Sequence, residues 1–412
     1  MVSPRILSIK YILYNKMSLP SQSNPYAQVP QGVSFTAFGR EYTPQDILAY
    51  GGEGQVYRQG SDGFVVKIQN PPVGRVASNH IILKAEAVLG QALGHPRIVK
   101  VKGIEEIAIG ESPALAVQFP YHGENLHNQF KMGEISLQQA MTYLAQAACV
   151  LPYLATAGVT HRDLKKPNIF IDENGAVVGD FGLALIGQGS SGQSSSLLGI
   201  IRTYDPTVEE FFKRRALLDV ATGSIGNASP EQIHNPRLVG PASDVYSMAT
   251  IVYGLLTKTD FNRAFARDAG RLPNQTVYNE SERVSEALAF YNNPMMNRLV
   301  RELPVVSAQV YGLDQAVAKQ IISPAIEPLQ SALVKEPSRR CLPDNLYNVI
   351  MGLSERLQQV PDMYCSQLTS ARRGLTSMEA SPTPRNYSPI SSPVPSRLVV
   401  DVGMYLRMDL QK

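Results

Sequence analysis

The chain has 412 residues, of which 44% are hydrophobic and 18% charged, so it can bury a sizeable core. The formal net charge of +3 comes from scattered residues, which argues against a nucleic-acid partner and a membrane partner. No run of about 18 apolar residues suggests a membrane span. Cys149, Cys341 and Cys365 lie far apart and indicate a reducing compartment. We therefore expect a cytoplasmic protein, with delivery into another cell left open.

Residues 1–41 are expected to form a flexible leader. From residue 18 to about residue 40 the sequence is polar and proline-spaced, with no hydrophobic period. The segment before it is basic and partly apolar, but Lys10 interrupts its apolar part, so a secretory signal is the minority interpretation. The sequence leaves open whether Met1 or Met17 is the natural start.

A glycine-rich turn follows between two strand-like pieces and contains Gly51, Gly52, Gly54 and Val56. Glycine lets backbone amides approach phosphate groups closely. The next β-type run carries Lys67. A glycine cluster alone is more often a plain hairpin turn, and the lysine-bearing strand is what favours a nucleotide-binding interpretation.

Three further elements precede the chemically informative part of the chain. A helix is predicted from Ser78 to Leu93, with Gly94 ending it. Leu115–Phe119 reads as a strand. Residues Ser136–Ala157 carry apolar side chains at helical spacing behind a capping box, and Pro152 is expected to bend this helix near its end.

Two polar motifs carry the chemistry: His-Arg-Asp-Leu-Lys-Lys-Pro-Asn at 161–168 and Asp-Phe-Gly at 180–182. An aspartate at 163 can accept the proton of an attacking hydroxyl, and Lys165 can lie beside a phosphoryl group. Asn168 and Asp180 supply the hard oxygen ligands that magnesium prefers. Between the motifs the sequence predicts a β-hairpin, which would bring Asn168 and Asp180 to the same end.

In this order and spacing, the motifs resemble the catalytic and metal-binding loops of the eukaryotic-type serine/threonine protein kinases. The resemblance implies an α+β, bilobal protein-kinase-like fold, with a small antiparallel sheet lobe and a mainly helical large lobe. It implies that Asp163 orients and deprotonates a substrate hydroxyl and that Lys165 stabilises the transferring phosphoryl group. Asn168 and Asp180 would hold Mg²⁺, with Mn²⁺ as an alternative, and ATP would be the donor.

The resemblance also implies a nucleotide site. Lys67 would hold the α- and β-phosphates, Glu86 would position Lys67 through an ion pair, and the glycine-rich turn would cover the phosphates. Phe119 would be the gatekeeper before the interlobe hinge. The proline between Phe119 and Tyr121 cannot donate a backbone hydrogen bond, so adenine would use the neighbourhood of Tyr121 and His122. Taken alone, Glu86 would be read as a solvated helix carboxylate.

The activation segment is expected over 180–231, longer than the family commonly needs. It ends in a Ser-Pro-Glu counterpart of the family's Ala-Pro-Glu motif, preceded by Gly223-Ser224. Gly187–Ser196 is expected to be flexible. A helix is predicted from Pro206, with Asp205 as N-cap. This insertion either packs on the large lobe without a function of its own or provides a docking surface, and the sequence favours neither.

Two other positions match the family's structural residues. Asp244 resembles the aspartate that orients the catalytic-loop backbone, and Arg340 resembles the arginine that pairs with the glutamate at 231. The kinase domain is expected over 42–357, with the small lobe at about 42–122 and the large lobe at about 123–357. A Ser/Pro-rich tail is expected over 358–412.

The resemblance implies a protein serine/threonine kinase that acts on Ser/Thr hydroxyls of protein substrates. A pseudokinase or scaffold is the first alternative, motivated by Ala49, Glu53 and Gly90, where the family usually has other residues; Gly90 suggests a loosely held helix. A small-molecule kinase of the same fold is the second, and the peptide-binding segment with Arg340 argues against it.

Arg162 suggests regulation, because kinases with this arginine commonly hold it against a phosphorylated activation segment. We expect transient self-association and trans-autophosphorylation within 190–222 that raises activity. The candidate acceptors are Ser190, Ser191, Ser194, Ser195, Ser196, Thr203, Thr207 and Thr222.

Overall fold

Short β-branched runs in the first third of the chain and long apolar helices afterwards give two lobes. The computed structural model describes residues 34–50, 54–58, 63–69, 76–110, 112–187, 192–217, 221–271 and 280–360. The small lobe is an antiparallel sheet with one helix, and the large lobe is mainly helical. The predicted α+β, bilobal fold class is confirmed.

The small lobe is a five-stranded antiparallel sheet of order β3-β4-β5-β7-β6, beside a two-stranded hairpin. Along β5, Val66 and Ile68 are fully buried on one face, so the alternation of a strand turns Lys67 to the other face. The strands are β1 (Phe35–Ala37), β2 (Arg40–Tyr42), β3 (Ile47–Tyr50), β4 (Gly54–Tyr57), β5 (Phe64–Gln69), β6 (Gly103–Ile109) and β7 (Ser112–Pro120).

The leader predicted over 1–41 is wrong from Phe35 onward, because β1 and β2 form a hairpin there. The rings of Phe35 and Tyr42 stack with centroids 5.3 Å apart, and Tyr57 meets Phe35 edge-on at 4.9 Å. All three side chains are buried. Aromatic burial holds the hairpin to the lobe, although strands this short show no hydrophobic period.

Helix α1 (Val76–Ala92) packs against the sheet and carries Glu86. It begins two residues before the predicted start at Ser78, which is within the usual uncertainty of helix ends. The loosely held helix suggested by Gly90 stays a prediction, but the structure gives another reason for this glycine. A Cβ at Gly90 would lie 2.9 Å from Cγ2 of Val101, so the missing side chain allows a close contact.

The large lobe surrounds α8, whose side chains are buried almost throughout. Its helices are α2 (Leu126–Met132), α3 (Leu137–Ala148), α4 (Val150–Ala157), α5 (Gly192–Tyr204), α6 (Pro206–Leu217), α7 (Pro230–His234), α8 (Pro241–Thr257), α9 (Phe261–Asp268), α10 (Glu280–Ala289), α11 (Asn293–Arg301), α12 (Leu303–Tyr311), α13 (Gln315–Ala332) and α14 (Pro343–Gln358).

The long apolar segment Leu137–Ala157 is two helices that meet at Cys149. Pro152 has no N–H for the carbonyl of Ala148, which accounts for the break. By length and composition this segment could cross a membrane. It packs against α8 and α14 in the core, which explains its apolar composition within the fold.

Four short strands complete the large lobe: β8 (Val159–Thr160), β9 (Ile169–Asp172), β10 (Gly175–Val178) and β11 (Leu185–Ile186). Strands β9 and β10 form the hairpin predicted between the two polar motifs. The N–H of Gly179 donates to the carbonyl of Asn168 at 3.0 Å, so the hairpin returns the chain from Asn168 to Asp180.

The insertion in the activation segment is a pair of helices, α5 and α6. The helix predicted from Pro206 is confirmed. The flexibility predicted for Gly187–Ser196 is wrong over 192–196, which belong to α5; residues 188–191 lie outside the described residues. Buried Leu197 and Ile201 follow in the same helix. Tertiary packing of that apolar side stabilises a glycine- and serine-rich first turn that propensity alone disfavours.

Candidate active site

The carboxylate of Asp163 lies at the centre of the site and is buried. Oδ2 accepts from Lys165 Nζ at 2.7 Å, and Oδ1 accepts from the hydroxyl of Ser224 at 2.7 Å. The amide of Asn168 donates to the Asp163 carbonyl at 2.9 Å and to Oδ2 at 3.2 Å. These donors fix the rotamer of a base candidate, so Asp163, Lys165 and Asn168 come together as the sequence predicts.

The backbone of the catalytic loop is held from beneath by Asp244 on α8. This carboxylate accepts the N–H of His161 at 2.7 Å and the N–H of Arg162 at 3.0 Å. Burial raises the pKa of Asp244, while His161 and the two backbone hydrogen bonds act in the opposite direction. The two bonds stabilise a strained turn in which Arg162 has a φ of 66°.

Asn168 and Asp180 meet at the end of the β9–β10 hairpin. Asp180 has a left-handed φ of 66°, and the next residue, Phe181, packs its ring 4.6 Å from that of His161. The described residues hold no cluster of three or more His, Cys, Asp or Glu side chains. One carboxylate and one amide oxygen suit Mg²⁺ only when substrate phosphates complete its coordination, which is how this ion is usually bound beside a nucleotide.

Lys67 connects the small lobe to this site. Its Nζ lies 2.7 Å from Oε2 of Glu86 on α1 and 3.6 Å from Oδ1 of Asp180. Only 6% of the Glu86 side chain is exposed, so it is a buried partner and not a solvated helix carboxylate. The ammonium group therefore lies between the helix and the metal-site candidate, where it can reach a phosphate.

Some of the residues predicted to contact the nucleotide lie within the described residues. Gly54 and Val56 lie on β4, and Val56 pairs with Lys67. Gly51 and Gly52 lie outside the described residues. On β7, Phe119 pairs with Val65 of β5, which precedes Lys67 by two residues. Phe119 therefore lies nearer the hinge than Lys67 does. The glycine-rich strand therefore runs beside the lysine-bearing strand, as a nucleotide site requires.

Two hinge groups have other partners in the structure. The N–H of Tyr121 donates to the carbonyl of Gly63 at 2.8 Å, and the Arg58 guanidinium lies 3.6 Å from the ring centroid of Tyr121. Nδ1 of His122 lies 2.6 Å from Oδ2 of Asp172. Adenine was expected to bind in the neighbourhood of Tyr121 and His122, and the N–H of Tyr121 is already engaged with Gly63.

The far end of the activation segment is fixed by a buried ion pair, as predicted. Arg340 donates to both carboxylate oxygens of Glu231, at 2.6 and 2.7 Å. Gly223 has a φ of +103°, and a Cβ there would lie 2.8 Å from the carbonyl of Arg162. That close approach explains the glycine before Ser224 and places the Ser224 hydroxyl on Asp163.

Sequence reasoning missed two contributions to the site. Ser224 was named only as part of a motif, yet its N–H and hydroxyl both bind Asp163. Val117 was named only as part of a strand, yet it lies opposite Lys67 and is fully buried. The alternation of β7 could have identified Val117, because residues two apart on a strand share a face.

The two lobes, the Lys67–Glu86 pair and the ordered Asp163 carboxylate have the arrangement of a protein kinase domain. A family model described as "Protein kinase domain" matches residues 42–348. Because that match covers most of the chain, the protein belongs to the protein kinase family.

Relatives with similar sequences are named as protein kinases. The chain is 28% identical over 182 residues to the mitosis inducer protein kinase cdr2 of Schizosaccharomyces pombe, covering 44% of this chain and 20% of that protein. It is 26% identical over 217 residues to serine/threonine-protein kinase RAD53 of Saccharomyces cerevisiae, covering 49% and 25%. It is 29% identical over 225 residues to serine/threonine-protein kinase PknB of Mycolicibacterium smegmatis, covering 52% and 32%. The chain thus spans a third or less of these relatives' length.

Proposed function

We propose that this protein is an active serine/threonine kinase that transfers the γ-phosphate of Mg-ATP to Ser or Thr hydroxyls of protein substrates. One observation carries the proposal: Lys67 contacts both Glu86 and Asp180 while Asp163 is held by three side-chain donors. A scaffold that only binds nucleotide would not need an ordered base. The arrangement supplies positioning and charge neutralisation together, which is most of what phosphoryl transfer requires.

Each residue then has one role in transfer. Asp163 accepts a hydrogen bond from the substrate hydroxyl and takes its proton as the oxygen attacks the γ-phosphorus, the bond to the β-phosphate oxygen breaks and ADP leaves. Lys165, already within hydrogen-bond distance of Asp163, neutralises the charge that develops on the transferred group. Asn168 and Asp180 would hold Mg²⁺, which when bound neutralises the phosphate oxygens. Mn²⁺ would suit the same oxygen ligands.

The choice of Ser/Thr over tyrosine acceptors rests on Lys165 and Ser224. Lys165 Nζ contacts both Asp163 Oδ2 and the Ser224 hydroxyl, at 2.7 and 2.9 Å. This bridge links the catalytic loop to the segment on which a substrate peptide would lie. A short aliphatic hydroxyl brought along that segment would reach Asp163, whereas the longer tyrosine side chain would need the space that Lys165 fills.

For the nucleotide, we propose that Lys67 holds the α- and β-phosphates and that the glycine-rich turn covers them. Phe119 would be the gatekeeper before the hinge, and the buried Val117 would close the pocket behind Lys67. Because Pro120 has no N–H and that of Tyr121 is engaged, the purine would depend on hinge carbonyls and on apolar contact. His122 would line the outer edge of the nucleotide pocket, where its contact with Asp172 would hold the ring in position.

Two alternatives stay open to experiment. A pseudokinase would bind Mg-ATP without turnover, and Ala49, Gly90 and the long insertion are the described departures that motivate it. A small-molecule kinase would transfer phosphate to a non-protein acceptor. The buried Glu231–Arg340 pair favours a protein substrate, because it fixes the segment that receives a peptide.

We further propose trans-autophosphorylation during transient self-association, in a cytoplasmic protein. Among the described acceptors, Ser195 and Ser196 on α5 are exposed, as are Thr203 on α5 and Thr207 on α6, whereas Thr222 is buried. Mass spectrometry after incubation with Mg-ATP tests this directly, with Asp163→Asn as the control.

The substrate class is tested by phosphoproteomics of a dephosphorylated cell extract treated with active enzyme or with Asp163→Asn. New phosphoserine and phosphothreonine sites that need Asp163 would support the proposal. New phosphotyrosine sites alone would contradict the Ser/Thr assignment. Nucleotide binding without any transfer would favour the pseudokinase alternative.

A further inference from the structure

The inserted helices α5 and α6 lie on α1, the helix that carries Glu86. Both pack against α1, and α6 also packs against β11 in the large lobe. Their buried apolar side chains belong to the same core cluster as the inner side of α1. The contributing residues are Ala85, Val88 and Leu89 from α1, Leu197 and Ile201 from α5, and Val208, Phe211 and Phe212 from α6.

One ion pair joins α1 to the turn between α5 and α6. Nζ of Lys84 lies 2.7 Å from Oδ2 of Asp205. The other oxygen, Oδ1, accepts the N–H of Thr207 at 2.7 Å and so caps α6. Although burial acts to raise it, the pKa of Asp205 falls to about 2 because Lys84 and Thr207 donate hydrogen bonds to the carboxylate. Asp205 is therefore charged at neutral pH.

Lys84 and Glu86 hold α1 from different sides. Successive helical residues are about 100° apart around the axis, so these two residues are about 200° apart. Glu86 points to Lys67, and Lys84 points to the inserted helices. A rotation of α1 that broke the Lys67–Glu86 pair would also have to break the Lys84–Asp205 pair.

We propose that Asp205 is a positioning residue for phosphotransfer: through Lys84 it fixes the rotation of α1 and so keeps Glu86 on Lys67. This inference rests on the proposed kinase activity. The inserted helices act as a built-in clamp on α1, made by side chains of the chain itself. Autophosphorylation within 190–222 is then not needed for activity, in contrast to the activating role expected from Arg162.

The test compares kinetics of protein phosphorylation for wild type, Lys84→Met, Asp205→Asn and the double variant. Asparagine can still cap α6, so Asp205→Asn removes the charge and keeps the helix start. Glu210→Gln is the matched control, because it breaks the exposed Glu210–Arg214 pair on α6, 2.8 Å long, without touching α1.

We expect each single variant to lower kcat roughly threefold to tenfold with a smaller change in KM for ATP. The double variant should be no worse than either single one, and Lys84→Arg should restore activity. Glu210→Gln should match wild type. Unchanged kcat in Asp205→Asn, or losses that multiply in the double variant, would overturn the clamp while the proposed function stood.

Two further measurements separate the clamp from the proposed function. Hydrogen exchange of the α1 amides should be faster in Asp205→Asn than in wild type and Glu210→Gln, whether or not phosphate is transferred. Equal exchange in all three would overturn the clamp. Phosphatase-treated wild type should keep its initial rate, and loss of that rate would also contradict the clamp.

Discussion

The Glu231–Arg340 pair provides the sharpest stability prediction, because both side chains are almost completely buried. Arg340 donates through Nη1 and Nη2 to Glu231 and also to the carbonyls of Ala242 and Lys335. The hydroxyl of Ser243 donates to Glu231 as well. The Glu231 carboxylate and the Arg340 guanidinium therefore both have hydrogen-bond partners. Removal of either charge leaves the other charge buried without its partner.

Glu231→Gln keeps one acceptor oxygen for Ser243 but removes the negative charge and one of the two acceptors for Arg340, and Arg340→Met removes the positive charge at similar length. Each single change should lower the free energy of unfolding by roughly 3–5 kcal/mol. The double variant should lose clearly less than the sum of the two, because it leaves no unpaired charge. For comparison, Glu210→Gln at an exposed pair should cost under about 0.5 kcal/mol.

The chain contains no tryptophan, so far-UV circular dichroism is the suitable probe of thermal and urea unfolding. A loss of 3–5 kcal/mol should lower Tm by on the order of 10 °C in a domain of this size. The reasoning would be refuted if the single variants lost less than about 1 kcal/mol. Strict additivity in the double variant would refute it as well.

Three other changes probe the site and the fold. Lys67→Met should lower kcat more than it raises KM for ATP, because the lysine mainly orients phosphates; steady-state kinetics would contradict this if only KM changed. Asp180→Asn should abolish transfer at unchanged Tm, because it weakens a metal ligand at constant volume; near wild-type turnover would refute the metal role. Burial lowers the pKa of His234, so the unfolded chain binds more protons there and stability falls as pH drops through about 6.5. His234→Gln should reduce that fall in a comparison of Tm at about pH 7.5 and about pH 5.5, and an unchanged slope would contradict it.

The catalytic loop was predictable because its chemistry is local. Asp163, Lys165 and Asn168 lie within six residues, and the hairpin that returns the chain to Asp180 has clear strand and turn signals. The residue types and their spacing therefore determine most of this half of the site. The two lobes follow from the same periodicities, with alternation in the first third and helical spacing later.

The remaining features depend on contacts between residues distant in sequence. Strands β1 and β2 are three residues each and are held by the rings of Phe35, Tyr42 and Tyr57, which no local window detects. Helix α5 begins in a glycine- and serine-rich stretch whose packing, not its propensity, makes it helical. The hydrogen bond from the N–H of Tyr121 to the carbonyl of Gly63 depends on how β5 and β7 are aligned, and the sequence of either strand does not determine that register.

The central claim is that Asp163 serves as the base for phosphoryl transfer to Ser or Thr. The most direct measurement is transfer of labelled γ-phosphate from Mg-ATP to protein, followed by phosphoamino-acid analysis, for wild type and Asp163→Asn at equal occupancy by nucleotide. We predict labelled phosphoserine or phosphothreonine with wild type and a loss of at least about a hundredfold with the variant. Equal labelling by both proteins, or nucleotide binding by wild type with no labelled protein, would contradict the claim.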